Sequence, residues 1–311
     1  MNPAGQKAAM RTYHFYQIDV FTEHKYGGNP LGVFPDAAGL SDEEMQLIAF
    51  ELNLSETTFV FPPQDARANH KVRIFTPVME VPFAGHPTIG THFLLAELGR
   101  FELHSSPVRV WQELSVGVLP VDIEHENGRV IRVTMTQAQP QFLSELADLD
   151  ALAQALRCRS EVFDVNFARP QVASTGLPFL MIPVVSLDAL KELSVDAPRL
   201  RTLCEQHGCK MAYAFARETF SGRADVHARF FSGHLEFEDP ATGSAAGALS
   251  AFLVRNGVHG RQDDNRFLIE QGHFIKRPSL IQSQVIVNKG EIEKVLVSGT
   301  CCRVFEGDFE V

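Results

Sequence analysis

The chain has 311 residues, 45% of them hydrophobic and 21% charged, with a formal net charge of −10. That length supports one large or two medium domains with real cores, and the composition is that of an ordinary soluble protein. The acidic balance argues against a nucleic-acid partner, which needs a basic patch, but leaves room for a small anion held by local donors.

Residues Met1 to Thr12 lack the apolar core of a signal peptide and read as a loose extension. From Tyr13 to Phe34 the pattern is a strand, a Gly27-Gly28-Asn29-Pro30 turn and a short apolar strand. A helix is expected from Ser41, because Ser41 and Glu44 form a capping box and Met45, Ile48, Ala49 and Leu52 share one helical face. Asn53 is its stop, and residues 54–61 read as a strand with Glu56 near its start. The Arg73-Ile74-Phe75-Thr76 strand leads through Glu80 to the Gly85-His86-Pro87 loop, then to a helix from Thr88 to Leu98. Strands over 108–125 and 130–136 close the first half, and a Gln- and Pro-rich stretch, 137–141, marks the boundary.

The second half starts with a helical stretch, Leu143 to Leu156, followed by strands within 172–185. The apolar run 175–185 is broken by Pro178 and Pro183 and is too short to span a membrane. A helix from Pro198 ends at Gly208, and strands follow over 212–216 and 224–231. The Asp239 loop then opens an Ala/Gly-rich helix to Val254, with hairpin strands from Phe267. The expected organisation is mixed α+β: two antiparallel β lobes, 13–136 and 142–292, each wrapping a helix, with the strand-like tail 293–311 returning to the first. Five cysteines (Cys158, Cys204, Cys209, Cys301 and Cys302) make no C-x-x-C pair, and their odd count fits a reducing compartment, so the cytoplasm is expected.

The two loops occupy matching places. Arg229-Phe230-Phe231-Ser232 to Glu236 repeats the Arg73 to Glu80 spacing, and each loop opens a helix ending near a glycine, Gly99 or Gly257. Small residues (Gly85 in one loop, Thr242, Gly243 and Ser244 in the other) let backbone N–H groups approach a ligand, and the hydroxyls add donors. Facing each other, two helix N-termini would hold a carboxylate and a developing enolate-like charge. The plain alternatives are an N-cap role for Asp239, worth about 1 kcal/mol, a hydrogen-bonded loop histidine at His86 and a surface strand position for Glu56. If Glu56 is desolvated, its proton affinity rises into the range useful for proton transfer near neutral pH. Arg73, Arg229, Glu80 and Glu236 read as structural ion pairs. No H-E-x-x-H, P-loop or strand-linked G-x-G-x-x-G occurs, so no metal or nucleotide cofactor is expected.

Asn53-Leu54-Ser55-Glu56-Thr57-Thr58-Phe59-Val60, Gly85-His86-Pro87-Thr88 and Glu238-Asp239-Pro240-Ala241-Thr242-Gly243-Ser244-Ala245 together resemble the phenazine-biosynthesis PhzF-like family. Gly28-Asn29-Pro30, Thr175-Gly176-Leu177-Pro178, Gln271-Gly272, Arg277-Pro278-Ser279 and Ser298-Gly299 extend the resemblance over almost the whole chain from Tyr13. It implies the diaminopimelate-epimerase-like fold, with two pseudo-symmetric lobes and an active site in the cleft between them. It further implies a cofactor-independent isomerase, commonly a homodimer, whose namesake acts on trans-2,3-dihydro-3-hydroxyanthranilate. Carried over residue by residue, Glu56 is the acid/base, His86 and Asp239 assist proton handling and orient the substrate, and Gly85 and Ser244 supply binding contacts. Related amino-acid racemases place one thiol in each lobe, and neither loop here holds a cysteine, which favours one-carboxylate chemistry. Lys276 stands where the family pattern has glycine, a charged residue expected near a cleft turn. The expected function is a proton-shifting isomerase of a small cyclic or amino-acid-like carboxylate, with a non-catalytic binding module on the same fold as the rival.

Overall fold

The computed structural model describes residues 10–234, 237–258 and 262–311. Glu236 and residues 1–9 of the expected extension lie outside the described residues. The extension ends earlier than expected, since the Arg11 N–H donates to the Val311 carbonyl at 3.0 Å and the first strand starts at Thr12.

In chain order the first run of elements is β1 (Thr12–Val20), β2 (Asn29–Phe34), α1 (Asp42–Leu52), β3 (Glu56–Phe61), β4 (His70–Phe75), β5 (Glu80–Val81), α2 (Gly85–Glu97), β6 (Val108–Leu114), β7 (Gly117–Glu126) and β8 (Arg129–Thr136). The second is β9 (Gln141–Glu145), α3 (Leu149–Ala155), β10 (Gln171–Ser174), β11 (Pro178–Val184), α4 (Leu187–Glu192), α5 (Ala197–Gln206), β12 (Met211–Ala216), β13 (Val226–Ser232), α6 (Gly243–Arg255), β14 (Asp264–Gln271), β15 (Ser279–Asn288), β16 (Glu291–Gly299) and β17 (Cys301–Glu310). The architecture is mixed α+β, with the strands joined in one large sheet.

Most neighbouring strands are antiparallel, but the expectation of purely antiparallel pairing is corrected. β2–β3, β4–β6, β11–β12 and β13–β14 run parallel. The reason is connection length: each parallel pair is bridged by helix, α1, α2, α4 with α5, and α6 in turn, and a parallel step needs such a crossover. The order β1–β2 antiparallel, β2–β3 parallel, β3–β4 antiparallel, β4–β6 parallel recurs as β10–β11, β11–β12, β12–β13 and β13–β14. The two runs are stitched together by β8–β16 and β1–β17, and β9 adds to the second beside β10.

The crossover helices α2 and α6 are apolar nearly all round and are buried from Gly85 to Ala96 and, apart from Ser244, from Gly243 to Val254. A helix of that kind belongs inside a core. Ile89 and Leu94 of α2 and Leu249 and Phe252 of α6 join one apolar cluster with strand residues from both runs. Each such side chain stabilises the fold by roughly 1.5–3 kcal/mol on burial. α1 sits outside, on a separate cluster of Phe34, Phe59 and Phe75. It carries the expected caps: the Ser41 hydroxyl accepts the Glu44 N–H, the Glu44 carboxylate accepts the Ser41 N–H, and Asn53 ends it in the left-handed region.

Two local expectations need correction, the starts of α3 and α2, and one residue of the boundary stretch shows a contact of its own. The segment expected to be helical from Leu143 starts as strand β9, and helix begins only at Leu149, where the Asp148 carboxylate accepts the Ala151 N–H. Gln137, at the head of the expected boundary stretch, is buried, and its amide donates to the Gly243 carbonyl at 3.0 Å. α2 begins at Gly85, three residues before the expected Thr88, so His86 and Pro87 lie in its first turn.

Candidate active site

Glu56, Gly85, His86, Asp239, Thr242, Gly243 and Ser244, drawn from both runs of the chain, all line one cavity of about 660 Å³. Glu56 arrives on the first residue of β3, where the left-handed turn at Asn53 redirects the chain out of α1. His86 comes from the first turn of α2, and Asp239 from the loop before α6. Neither helix has a side-chain hydrogen bond at its N-cap, Ala84 or Thr242. Their first-turn N–H groups are therefore free to meet a ligand, and the helix dipole favours a negative one. The two helix starts almost touch: a Cβ on Gly85 would lie 3.5 Å from the Ser244 nitrogen and 3.6 Å from the Gly243 Cα. Any larger side chain at Gly85 would fill the space in front of both N-termini.

The charges are set by burial. The His86 Nε2 lies 3.2 Å from the Glu56 Oε2, without the alignment of a hydrogen bond. Burial pushes the Glu56 carboxyl up to about 8, and the nearby Asp239 charge adds to the shift. Burial pushes Asp239 up to about 6 against hydrogen bonds from Thr242 and Asn29 that hold it down. The same desolvation drives His86 down to about 3. Asp239 loses its proton first, while Glu56 is still neutral, so the repulsion falls on Glu56. At neutral pH the site holds a protonated Glu56, a neutral His86 and an ionised Asp239. Among the described residues no lysine or arginine lines the cavity, and Phe83, Phe179, Met211 and Phe230 form an apolar wall.

The residues that hold Asp239 were quoted in the sequence without a role. The Asn29 amide donates to the Asp239 Oδ1 at 2.8 Å and to the Ala241 carbonyl at 2.9 Å. The Gln271 amide nitrogen donates to the Asp239 carbonyl at 2.7 Å and to the Thr242 hydroxyl at 3.0 Å. Its carbonyl oxygen accepts the Thr242 N–H and the Tyr213 hydroxyl. Arg277 donates to Asp19 and to the Gly27 and Gly28 carbonyls, fixing the turn that presents Asn29.

Asp239 is not an N-cap, because α6 starts after Thr242, whose hydroxyl donates to the Asp239 carboxylate instead of facing a ligand. Arg73 pairs with Glu80 as expected, and also with Asp42. Arg229 pairs with Glu238, and the Glu236 expected in that place lies outside the described residues. Lys276 is exposed in the left-handed region, the backbone state that explains a glycine there, and is not among the cavity-lining residues. All five cysteines are free thiols and none lines the cavity.

Residues 18–307 match the family model described as phenazine biosynthesis-like protein. An uncharacterized isomerase of Clostridium acetobutylicum is 37% identical over 303 residues, 96% of this chain and 98% of that one. The trans-2,3-dihydro-3-hydroxyanthranilate isomerase of Pseudomonas chlororaphis is 35% identical over 92% of this chain and 95% of its own length. Among solved structures, a PhzF-family phenazine biosynthesis protein of Bacillus anthracis superposes with a TM-score of 0.86 at 29% identity, covering 97% of this chain and 99% of that one. A hydroxyproline epimerase from Agrobacterium vitis, 13% identical with a TM-score of 0.62 over 97% of this chain and 93% of that one, shares the fold alone. The chain belongs to the phenazine biosynthesis-like protein family and is an enzyme of its isomerase type.

Proposed function

We propose that the protein shifts a proton on a small cyclic or amino-acid-like carboxylate, with Glu56 as the group that carries the proton and no cofactor required. The observation that carries this reading is a carboxyl held protonated near neutral pH at the meeting point of two uncapped helix N-termini. The repeated strand order supports two related lobes, with the cavity as the cleft between them. The substrate carboxylate lies against the first-turn N–H groups of α2 and α6, which compensate for the missing cationic side chain. Ionised Asp239 holds an amino group of the substrate, and neutral His86, beside the Glu56 carboxyl, assists proton handling and helps orient the substrate.

The Glu56 carboxyl delivers its proton to one carbon of an unsaturated substrate. The resulting Glu56 carboxylate removes a proton from a second carbon on the same face, the double bond moves, and Glu56 ends protonated as it began. Charge that develops between the steps spreads toward the substrate carboxylate and the helix N–H groups. The relative from Pseudomonas chlororaphis makes trans-2,3-dihydro-3-hydroxyanthranilate the first substrate to test. Turnover is expected in wild type and a loss of at least roughly 10²-fold in Glu56→Gln. Undiminished turnover in Glu56→Gln removes Glu56 from the mechanism.

A further inference from the structure

Away from the cavity, His227 on β13 and Glu270 on β14 are partners in a parallel ladder, and His273 follows in the turn after β14. His227 and Glu270 are 0% and 1% exposed. The His227 Nδ1 lies 3.2 Å from the Glu270 Oε2, and Glu270 also accepts the Phe220 and Ser221 N–H groups at 2.8 and 2.9 Å. Those contacts account for the carboxylate and for one nitrogen of His227. They leave the His227 Nε2 and the His273 Nδ1 buried with no hydrogen-bond partner among the described residues. One coordinating atom from each of the three residues lies within 4.8 Å of the others. Phe220 stacks on His273 with ring centres 4.7 Å apart, and Phe274 packs on His227 at 5.1 Å, giving the group an apolar jacket.

The geometry points to a second site in this protein: a divalent-cation site formed by His227, Glu270 and His273. Two imidazoles and one carboxylate are the donor set of a borderline ion such as Zn²⁺, with a fourth position left for water. Ligand bonds near 2.0–2.1 Å place tetrahedral ligand atoms about 3.3 Å apart. The His227–Glu270 contact is already at that spacing. His273, which is only partly buried, has to swing inward by at most about 1.5 Å to complete it. The entering ion takes the place of the hydrogen between the His227 Nδ1 and Glu270, and the imidazole then carries that hydrogen on its Nε2. The site pins β13, β14 and the 218–222 loop together, one residue from the Gln271 that holds Asp239.

The test uses the full chain, stripped with a chelator and titrated with Zn²⁺ against a chromophoric competitor, and separately with Co²⁺ as a visible-absorption probe. One equivalent per chain is expected, with the absorption of tetrahedral cobalt and a rise in melting temperature. His273→Gln should weaken binding at least about tenfold while leaving the metal-free melting temperature unchanged, and Glu270→Gln should weaken it likewise. His14→Gln should change nothing, although His14 lies beside Asp308 and Glu306 and is the natural surface competitor. No saturable uptake overturns the proposal. So does one-equivalent binding that survives His273→Gln or is lost in His14→Gln.

Discussion

Replacing Glu56 with Gln should stabilise the protein in a pH-dependent way, because the wild-type carboxyl is held where it cannot easily ionise. Its ordinary value is 4.5 and its folded value is about 8. Between those limits the unfolded chain has lost the proton and the folded chain has kept it. The folded state then binds more protons, so stability falls as pH rises through this window. From pH 5 to pH 9 the effective interval is 5 to 8, and at 1.36 kcal/mol per unit that is roughly 4 kcal/mol. The Glu56 side chain keeps 20% of its exposure through the cavity, which reduces the figure to roughly 2–4 kcal/mol. Gln fills the same space and cannot ionise, so it escapes this loss. Urea unfolding of both proteins at pH 5 and pH 9 measures the effect. Glu56→Gln should gain about 2–4 kcal/mol on wild type between the two pH values. An equal stability difference at both would show that Glu56 ionises normally and would refute the reasoning.

Three further outcomes follow from the same geometry. The rate should rise as Asp239 ionises through about 6 and fall as Glu56 loses its proton through about 8, a bell read from the pH profile of kcat/KM. Asn29→Ala removes a hydrogen bond to the Asp239 carboxylate and should move the acid limb upward by about one unit while costing roughly 1.5–3 kcal/mol of stability; an unmoved limb would detach that limb from Asp239. Gly272→Ala forces a side chain into the left-handed region, with its Cβ 2.2 Å from the Arg277 carbonyl and 2.6 Å from the Pro240 carbonyl. It should cost at least roughly 2 kcal/mol in denaturant unfolding and depress activity by shifting the Asp239 loop.

Much of the site was legible because its chemistry is local in sequence. The capping box at Ser41 and Glu44, the stop at Asn53 and the small-residue loops at Gly85 and Gly243 each act within one or two turns of helix. What escaped acts across the fold. Asn29 reaches Asp239 over 210 residues, and Gln271 ties Tyr213, Thr242 and the Asp239 carbonyl at once, contacts that no spacing rule encodes. Glu270 and His273 are only three residues apart, but His227 joins them only because β13 and β14 lie side by side. The mistaken helix at Leu143 has a physical cause too. Leu143, Leu146, Leu149 and Leu152 recur at three-residue steps, which mimics a helical face. β9 is decided instead by its hydrogen bonds to β10, some thirty residues away, and its own side chains are mostly exposed.

The central claim is that Glu56 moves a proton to and from substrate carbon. Wild type and Glu56→Gln, incubated in D₂O with trans-2,3-dihydro-3-hydroxyanthranilate and a panel of amino-acid and cyclic carboxylates, would be followed by NMR and mass. Deuterium should enter carbon with wild type and stay out with Glu56→Gln. Deuterium entering at the same rate with both proteins would contradict the account.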